Sequence, residues 1–75
     1  MQLNNIKRVY FVGIGGIGMS ALARYFKYLG AEVSGYDRTR TALTQQLEQE
    51  GMFIHYEDNV ALIDRQADIV IYTPA

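Results

Sequence analysis

The 75-residue chain contains no cysteine or tryptophan, one histidine and one proline. Without cysteine there is no disulfide and no cysteine-based metal site, and a single histidine excludes a histidine-rich metal site. Cysteine usage therefore says nothing about the redox compartment. We expect no metal ion in this chain.

Neither sign of charge dominates, because seven basic and eight acidic residues leave a net charge of −1. A nucleic-acid-binding face needs clustered lysine and arginine, so we expect no nucleic-acid partner. At 49% hydrophobic residues the chain is predicted to be globular. Its length corresponds to one domain or part of one, and a domain this small is marginally stable alone.

Long apolar runs are missing as well. The stretch 9–23 is uncharged, follows Lys7 and Arg8, and ends in Ala-Leu-Ala, which resembles a signal-peptide cleavage site. Its four glycines would break a signal helix, and it is shorter than the roughly 18 apolar residues that a membrane span needs. We therefore expect a cytoplasmic protein without membrane contact.

Catalytic patterns are also absent from the sequence. There is no G-x-x-x-x-G-K-[ST], and hence no Walker-type ATP site. No pair of carboxylates stands out as an acid/base dyad, and no Ser/His/Asp or Cys/His arrangement is evident. We predict a binding domain with no catalytic residue of its own.

What the chain does have is a glycine-rich turn between a strand-like run and a helix-like run. Gly13, Gly15 and Gly18 fit the pattern G-x-G-x-x-G. The first glycine allows a tight turn, the second lets a diphosphate approach the backbone, and the third lets the helix pack tightly against the strand. The free N–H groups and the dipole of the helix favour an anion there. Contacts with a diphosphate are predicted for Gly13, Ile14, Gly15, Gly16, Ile17, Gly18, Met19 and Ser20.

Strands and helices are predicted to alternate along the chain. Hydrophobic periodicity predicts strands at 7–12, 31–36, 53–55 and 69–72, and helices at 17–29 and 41–50. This alternation predicts an α/β fold with a parallel sheet. Right-handed crossovers give the strand order 3-2-1-4, a Rossmann-like half-unit with three layers, α/β/α. We expect the chain to be a fragment of a longer protein.

Two further expectations concern the first helix and the turn before it. Four apolar residues recur at helical spacing and predict the buried stripe of the helix: Leu22, Tyr25, Phe26 and Leu29. We expect Arg24 and Lys27 to face water, and Ile14 and Ile17 to wedge the turn against the core.

Polar residues follow the predicted strands at their carboxyl ends, where doubly wound sheets bind ligands. Asp37 comes 19 residues after Gly18, where an acidic residue accepts hydrogen bonds from ribose hydroxyls. Arg38 would instead suit a ribose 2′-phosphate. His55 ends the third strand and Thr73 follows the fourth, both within reach of a nucleotide, although a structural role for His55 is equally compatible with the pattern.

Residues 11–23 closely resemble the N-terminal signature of the Mur ligases of bacterial peptidoglycan synthesis, and the resemblance continues over nearly the whole chain. It departs from the family at Tyr36 and at Thr73-Pro74. The resemblance implies a three-domain ligase whose N-terminal domain, residues 1–75, binds the UDP part of UDP-N-acetylmuramate. A central domain would bind ATP and Mg2+, and a C-terminal domain would help to bind L-alanine, whose amine attacks an acyl phosphate of the lactyl carboxylate.

By this resemblance the glycine-rich turn holds the UDP diphosphate, and Asp37, Arg38, His55 and Thr73 lie near the uridine or the sugar. Spacing alone leaves alternatives open, because UDP and NAD both present a diphosphate and a ribose diol. One alternative is the NAD(P)-binding domain of an oxidoreductase. Another is a nucleotide-sensing regulatory module that associates through its sheet edge. Homodimerisation, and a related ligase that adds a tripeptide to the same sugar nucleotide, also stay open.

Overall fold

A computed structural model describes residues 5–73, and Pro74 lies outside the described residues. The elements are β1 (Arg8–Val12), α1 (Ile17–Tyr28), β2 (Glu32–Tyr36), α2 (Ala42–Gln49), β3 (Phe53–His55) and β4 (Ile69–Tyr72), with a short 3-10 helix at Val60–Leu62. The strands form one parallel sheet in the order β3-β2-β1-β4. This confirms the α/β half-unit and its strand order, and the bounds differ from the predicted ones by one residue at most.

Both α-helices lie on one face of the sheet. Val9 and Phe11 of β1 are fully buried there, in one cluster with Phe26 of α1 and Leu47 of α2. The β3–β4 connection crosses the opposite face and covers only part of it. Four apolar side chains of that face stay exposed: Val12, Phe53, Val70 and Tyr72.

The buried stripe of α1 differs from the predicted one. The helix buries Met19, Ser20, Ala23 and Phe26, whereas Leu22, Tyr25 and Leu29 are 38%, 47% and 40% exposed. Small residues face the sheet because they let the helix lie close to it, which turns the larger apolar residues outward. Periodicity located the helix and is confirmed at Phe26, but it is wrong for Leu22, Tyr25 and Leu29, since it weights large apolar residues most heavily.

The two basic residues of α1 are predicted to face water. In the structure both also contact the chain at the end of α2. Arg24 forms a bidentate pair with Glu50, at 2.9 and 2.8 Å, and its hydrogen bond lowers the pKa of that carboxyl. Lys27 Nζ donates a longer hydrogen bond to the carbonyl of Gly51 at 3.4 Å. These contacts connect the two helices along their solvent edge.

Two carboxylates hold the β3–β4 connection to the start of β1. Asp68 Oδ2 accepts hydrogen bonds from the backbone N–H groups of Lys7 at 2.8 Å and Arg8 at 2.9 Å. Asp64 pairs with the Arg8 guanidinium at 2.9 Å. The backbone hydrogen bonds lower the pKa of Asp68, and the hydrogen bond from Arg8 lowers the pKa of Asp64.

We expect the Asp68 carboxyl to titrate below its ordinary pKa of 3.8. Because the folded-state pKa is lowered, the unfolded chain binds more protons in this range, so stability falls as the pH decreases from 3.8 through the folded-state pKa. The measurement is an NMR pH titration. We expect the chemical shifts of the Asp68 carboxyl carbon and of the Lys7 and Arg8 amides to change with the same midpoint. A midpoint at or above 3.8 would contradict the backbone hydrogen bonds.

Candidate functional site

The glycine-rich turn is held to the carboxyl end of β2 by backbone hydrogen bonds. Gly13 has a positive φ of +86°, which a side chain would strain, so its predicted role in the tight turn is confirmed. The N–H groups of Gly13 and Ile14 both donate to the carbonyl of Tyr36, at 2.8 and 3.1 Å, and Gly16 N–H donates to the Gly13 carbonyl at 3.1 Å. The turn therefore has a defined conformation before any ligand binds.

The N-terminus of α1 follows this turn and has no side-chain cap. Gly16 is the N-cap residue in an extended conformation, and the first helical hydrogen bond runs from Ser20 N–H to Gly16 O at 2.7 Å. The amides of residues 17–19 precede that bond, so they are among the helix N–H groups without an intrahelical acceptor. The positive end of the helix dipole adds to their preference for an anion.

The space around the other two motif glycines adds a structural reason for one of them and contradicts the expectation for the other. A Cβ on Gly15 would lie 2.7 Å from Asp37 Oδ2 and 2.8 Å from Thr44 Cγ2, so contacts inside the protein already require glycine there. A Cβ on Gly18 would meet nothing within 4 Å. The prediction that Gly18 allows tight packing of the helix is therefore wrong, and packing gives no reason for glycine at this position.

Asp37 lies at the carboxyl end of β2, as predicted, and contacts the turn directly. Its Oδ2 accepts a hydrogen bond from Gly15 N–H at 2.7 Å, and its Oδ1 accepts one from Thr39 N–H at 3.1 Å. Its own N–H donates to the carbonyl of His55 at 3.2 Å. The carboxylate thus joins the turn to the β2–α2 loop, while a contact with ribose stays a prediction.

The two arginines after Asp37 differ in their surroundings. Arg40 pairs with Glu48 at 3.4 Å and its guanidinium lies 5.7 Å from the centre of the Tyr56 ring. Arg38 is exposed and forms no ion pair within residues 5–73. Of the two, Arg38 is the one whose charge is available to a ligand.

His55 is the last residue of the edge strand β3 and is buried. Both of its ring nitrogens have hydrogen-bond partners. Nδ1 lies 3.0 Å from the Glu57 carbonyl, which can only accept, so this nitrogen carries the proton. In the neutral ring Nε2 then accepts the hydrogen bond from the Tyr10 hydroxyl at 2.7 Å, and burial raises the pKa of that hydroxyl. These contacts give His55 a structural role in this conformation, and its contact with a nucleotide stays a prediction.

The remaining predicted contact residues are spread over buried and exposed positions. Ser20 is buried and its hydroxyl donates to the Ile17 carbonyl at 2.9 Å, while the Met19 side chain belongs to the core. Ile14 is fully buried as predicted, but Ile17 is 87% exposed, so it does not wedge the turn against the core. Thr73 is exposed and follows Tyr72, which pairs with Val12, and so lies beside the start of the turn.

A family model described as "Mur ligase family, catalytic domain" matches residues 8–75. The chain belongs to the Mur ligase family. The matched range includes β1, the glycine-rich turn and every later element of the fold.

Curated relatives of this Mur ligase chain are named UDP-N-acetylmuramate–L-alanine ligase. The protein from Flavobacterium johnsoniae is 58% identical over 79 residues, which covers 100% of the chain and 18% of the relative. Those from Parabacteroides distasonis and Porphyromonas gingivalis (strain ATCC 33277) are 55% and 48% identical, covering 100% and 93% of the chain and 17% and 16% of the relatives. The chain thus spans less than a fifth of the length of these relatives.

Two residues that shape the turn of this Mur ligase chain were missed by sequence reasoning. Gly35 in β2 lies under Ile14, and Thr44 in α2 contacts Gly15. A glycine inside a strand pattern signals close approach of another group. Thr41 and Thr44 have the spacing of a capping box, which the structure contains. The sequence contains both the glycine within a strand and the capping-box spacing. Neither pattern predicts that Ile14 packs against Gly35 or that Thr44 packs against Gly15.

Residues 5–73 contain neither a metal-binding cluster nor a membrane-spanning helix. No group of three or more His, Cys, Asp or Glu side chains is arranged to hold a metal ion. No helix in the same range has the length and apolar composition of a membrane span.

Proposed function

We propose that this chain is the UDP-binding N-terminal domain of a ligase that joins L-alanine to the lactyl carboxylate of UDP-N-acetylmuramate. The observation that carries the proposal is the uncapped N-terminus of α1 at the carboxyl edge of the sheet. The names of the curated relatives supply the substrate. ATP and Mg2+ are assigned to the rest of the ligase, because this sequence has no Walker-type motif.

In this proposal the diphosphate lies on the turn and on the first turn of α1. The amides of residues 17–19 would donate to phosphate oxygens, and the helix dipole would favour the two negative charges. Asp37 would contact the uridine, with Arg38, His55 and Thr73 near the uridine or the sugar. The domain would contribute affinity and orientation, and no residue of it would touch the reacting carboxylate.

Calorimetric titration of the full-length protein with UDP-N-acetylmuramate, NAD and NADP tests this assignment. We expect binding of the sugar nucleotide only, since the substrate is taken from the relatives named above. Binding of NADP without UDP-N-acetylmuramate would replace the proposal with an oxidoreductase or a nucleotide sensor. If neither the sugar nucleotide nor a dinucleotide bound, the proposed role of the α1 N-terminus as a diphosphate site would be wrong.

Gly18→Ala should separate binding from folding. Alanine meets no neighbour within 4 Å, and it is favoured over glycine in a helix by roughly 0.5–1 kcal/mol. We therefore expect equal or higher thermal stability. The added methyl group lies at the proposed phosphate site, and we expect the Kd for UDP-N-acetylmuramate to rise about tenfold, the equivalent of one hydrogen bond to a charged group. Unchanged affinity would place the diphosphate elsewhere.

A further inference from the structure

The four amides of the glycine-rich turn, residues 13–16, are all engaged within the protein. Those of Gly13, Ile14 and Gly16 donate to backbone carbonyls. That of Gly15 donates to Asp37 Oδ2 at 2.7 Å, so within the described residues Asp37 supplies the one side-chain acceptor in these four hydrogen bonds. The amides left for an anion are those of residues 17–19, beyond the turn.

We propose that Asp37 is a positioning residue, which acts through Gly15 to set the direction in which the amides of residues 17–19 point. The inference rests on the proposed function, because it concerns the same diphosphate site. This positioning role is separate from any contact between Asp37 and the uridine, because it does not depend on the ribose. The hydrogen bond between Asp37 and Gly15 is already present in the ligand-free protein.

The hydrogen bonds of Asp37 supply the first argument. Its two oxygens accept from two separate segments, the turn at Gly15 and the β2–α2 loop at Thr39. A carboxylate that accepts backbone N–H groups forms charge-assisted hydrogen bonds, which are shorter and stronger than neutral ones. The 2.7 Å distance to Gly15 belongs to that class. The carboxylate therefore fixes the turn relative to the end of β2.

Packing around Gly15 supplies the second argument. The methyl group of Thr44 lies 2.8 Å from the position of a Cβ on Gly15, and Thr44 is fully buried. Its hydroxyl accepts from Thr41 N–H at 2.8 Å and is within 3.0 Å of the Thr41 carbonyl, so the start of α2 is itself constrained. Gly15 therefore lies against one group that follows β2, Asp37, and one group of α2, Thr44, which leaves the turn little freedom to shift.

Charge supplies the third argument. A carboxylate beside a diphosphate is repelled by it, whereas the dipoles of two N–H groups that donate to a carboxylate partly offset its negative charge and weaken that repulsion. The arrangement therefore lets an acidic residue lie next to an anion site. It also takes Gly15 N–H away from the ligand, which predicts phosphate contacts at residues 17–19 and none at Gly15.

The test compares the Kd values of two ligands for the full-length protein with and without one substitution. Asp37→Asn keeps the size of the side chain but has one acceptor oxygen instead of two. The ligands are UDP-N-acetylmuramate and an analogue whose ribose lacks its 2′- and 3′-hydroxyls. We expect Asp37→Asn to raise the Kd about tenfold for both ligands, because the lost hydrogen bond lies within the protein. Asp58→Asn, which removes an exposed carboxylate from the loop after β3, is the matched control and should leave both Kd values unchanged.

A role limited to contact with the ribose gives a different result. In that case the penalty of Asp37→Asn would appear with UDP-N-acetylmuramate and vanish with the analogue, which would overturn the inference alone. An unchanged or lower Kd for both ligands would also overturn it. If the unsubstituted protein bound neither ligand, the proposed function would fail and the inference with it. As a check against general misfolding, the KM for ATP should stay unchanged while the KM for the sugar nucleotide rises.

A second measurement needs no substitution. In the unsubstituted full-length protein, the amide of Gly15 should keep its chemical shift when UDP-N-acetylmuramate binds, because it stays bonded to Asp37. The amides of Ile17, Gly18 and Met19 should move. A shift at Gly15 as large as theirs would mean that the ligand displaces Asp37, and the positioning role would be refuted.

Discussion

Gly35→Ala is expected to lower the free energy of unfolding of this domain by about 2–3 kcal/mol, the upper range for overpacking a core. A Cβ at this position would lie 2.8 Å from the carbonyl oxygen of Phe11 and 2.9 Å from Ile14 Cδ1. The carbonyl belongs to the central strand and cannot move without disturbing the sheet. Ile14 is fully buried and is the second residue of the glycine-rich turn. The strand or the turn must therefore shift, and amide hydrogen exchange of β1 and β2 would report the loss.

Ser34→Ala is the matched control on the same strand. The Ser34 hydroxyl is buried without a hydrogen-bond partner in residues 5–73. Its removal should be neutral or stabilising, because a buried polar group without a partner costs about 1–3 kcal/mol. Equal protection of β1 and β2 in Gly35→Ala and Ser34→Ala would show that the close approach at Gly35 does not constrain the fold.

With the function proposed above, Gly15→Ala is expected to lower kcat/KM for UDP-N-acetylmuramate about 100-fold in the full-length protein, the usual cost of misplacing a bound substrate by about 1 Å. The added Cβ would lie 2.7 Å from Asp37 Oδ2 and 2.8 Å from Thr44 Cγ2. Because Thr44 is fully buried, the turn is the part that must move. Its movement breaks the hydrogen bond between Gly15 and Asp37 and redirects the amides at the start of α1.

Gly16→Ala tests whether this cost is specific to position 15. Gly16 has φ −66° and ψ 150°, which any residue adopts, and a Cβ there would meet no atom closer than 3.5 Å. We expect its stability to change by no more than about 0.5 kcal/mol, as for a surface substitution. If Gly15→Ala were as stable as Gly16→Ala and kept full kcat/KM, the contacts of Gly15 with Asp37 and Thr44 would not control the site.

The candidate site was easier to predict as a set of positions than as a set of roles. Strand ends can be read from local patterns, and the C-terminal ends of parallel strands meet at one edge, so Asp37, His55 and Thr73 were placed correctly. The role of each side chain depends on neighbours that are distant in sequence. His55 meets the Tyr10 hydroxyl of another strand, and Asp37 meets the Gly15 amide.

The sequence by itself determined the alternation of elements, the strand order and the position of the turn. These follow from periodicity, from glycine placement and from the handedness of crossovers, which are properties of short segments. Only the tertiary structure decided which face of α1 is buried and why Gly15 and Gly35 have no room for a side chain. Those outcomes depend on the distance between two packed elements, and small residues such as Ala23 set that distance without any signal in hydrophobicity.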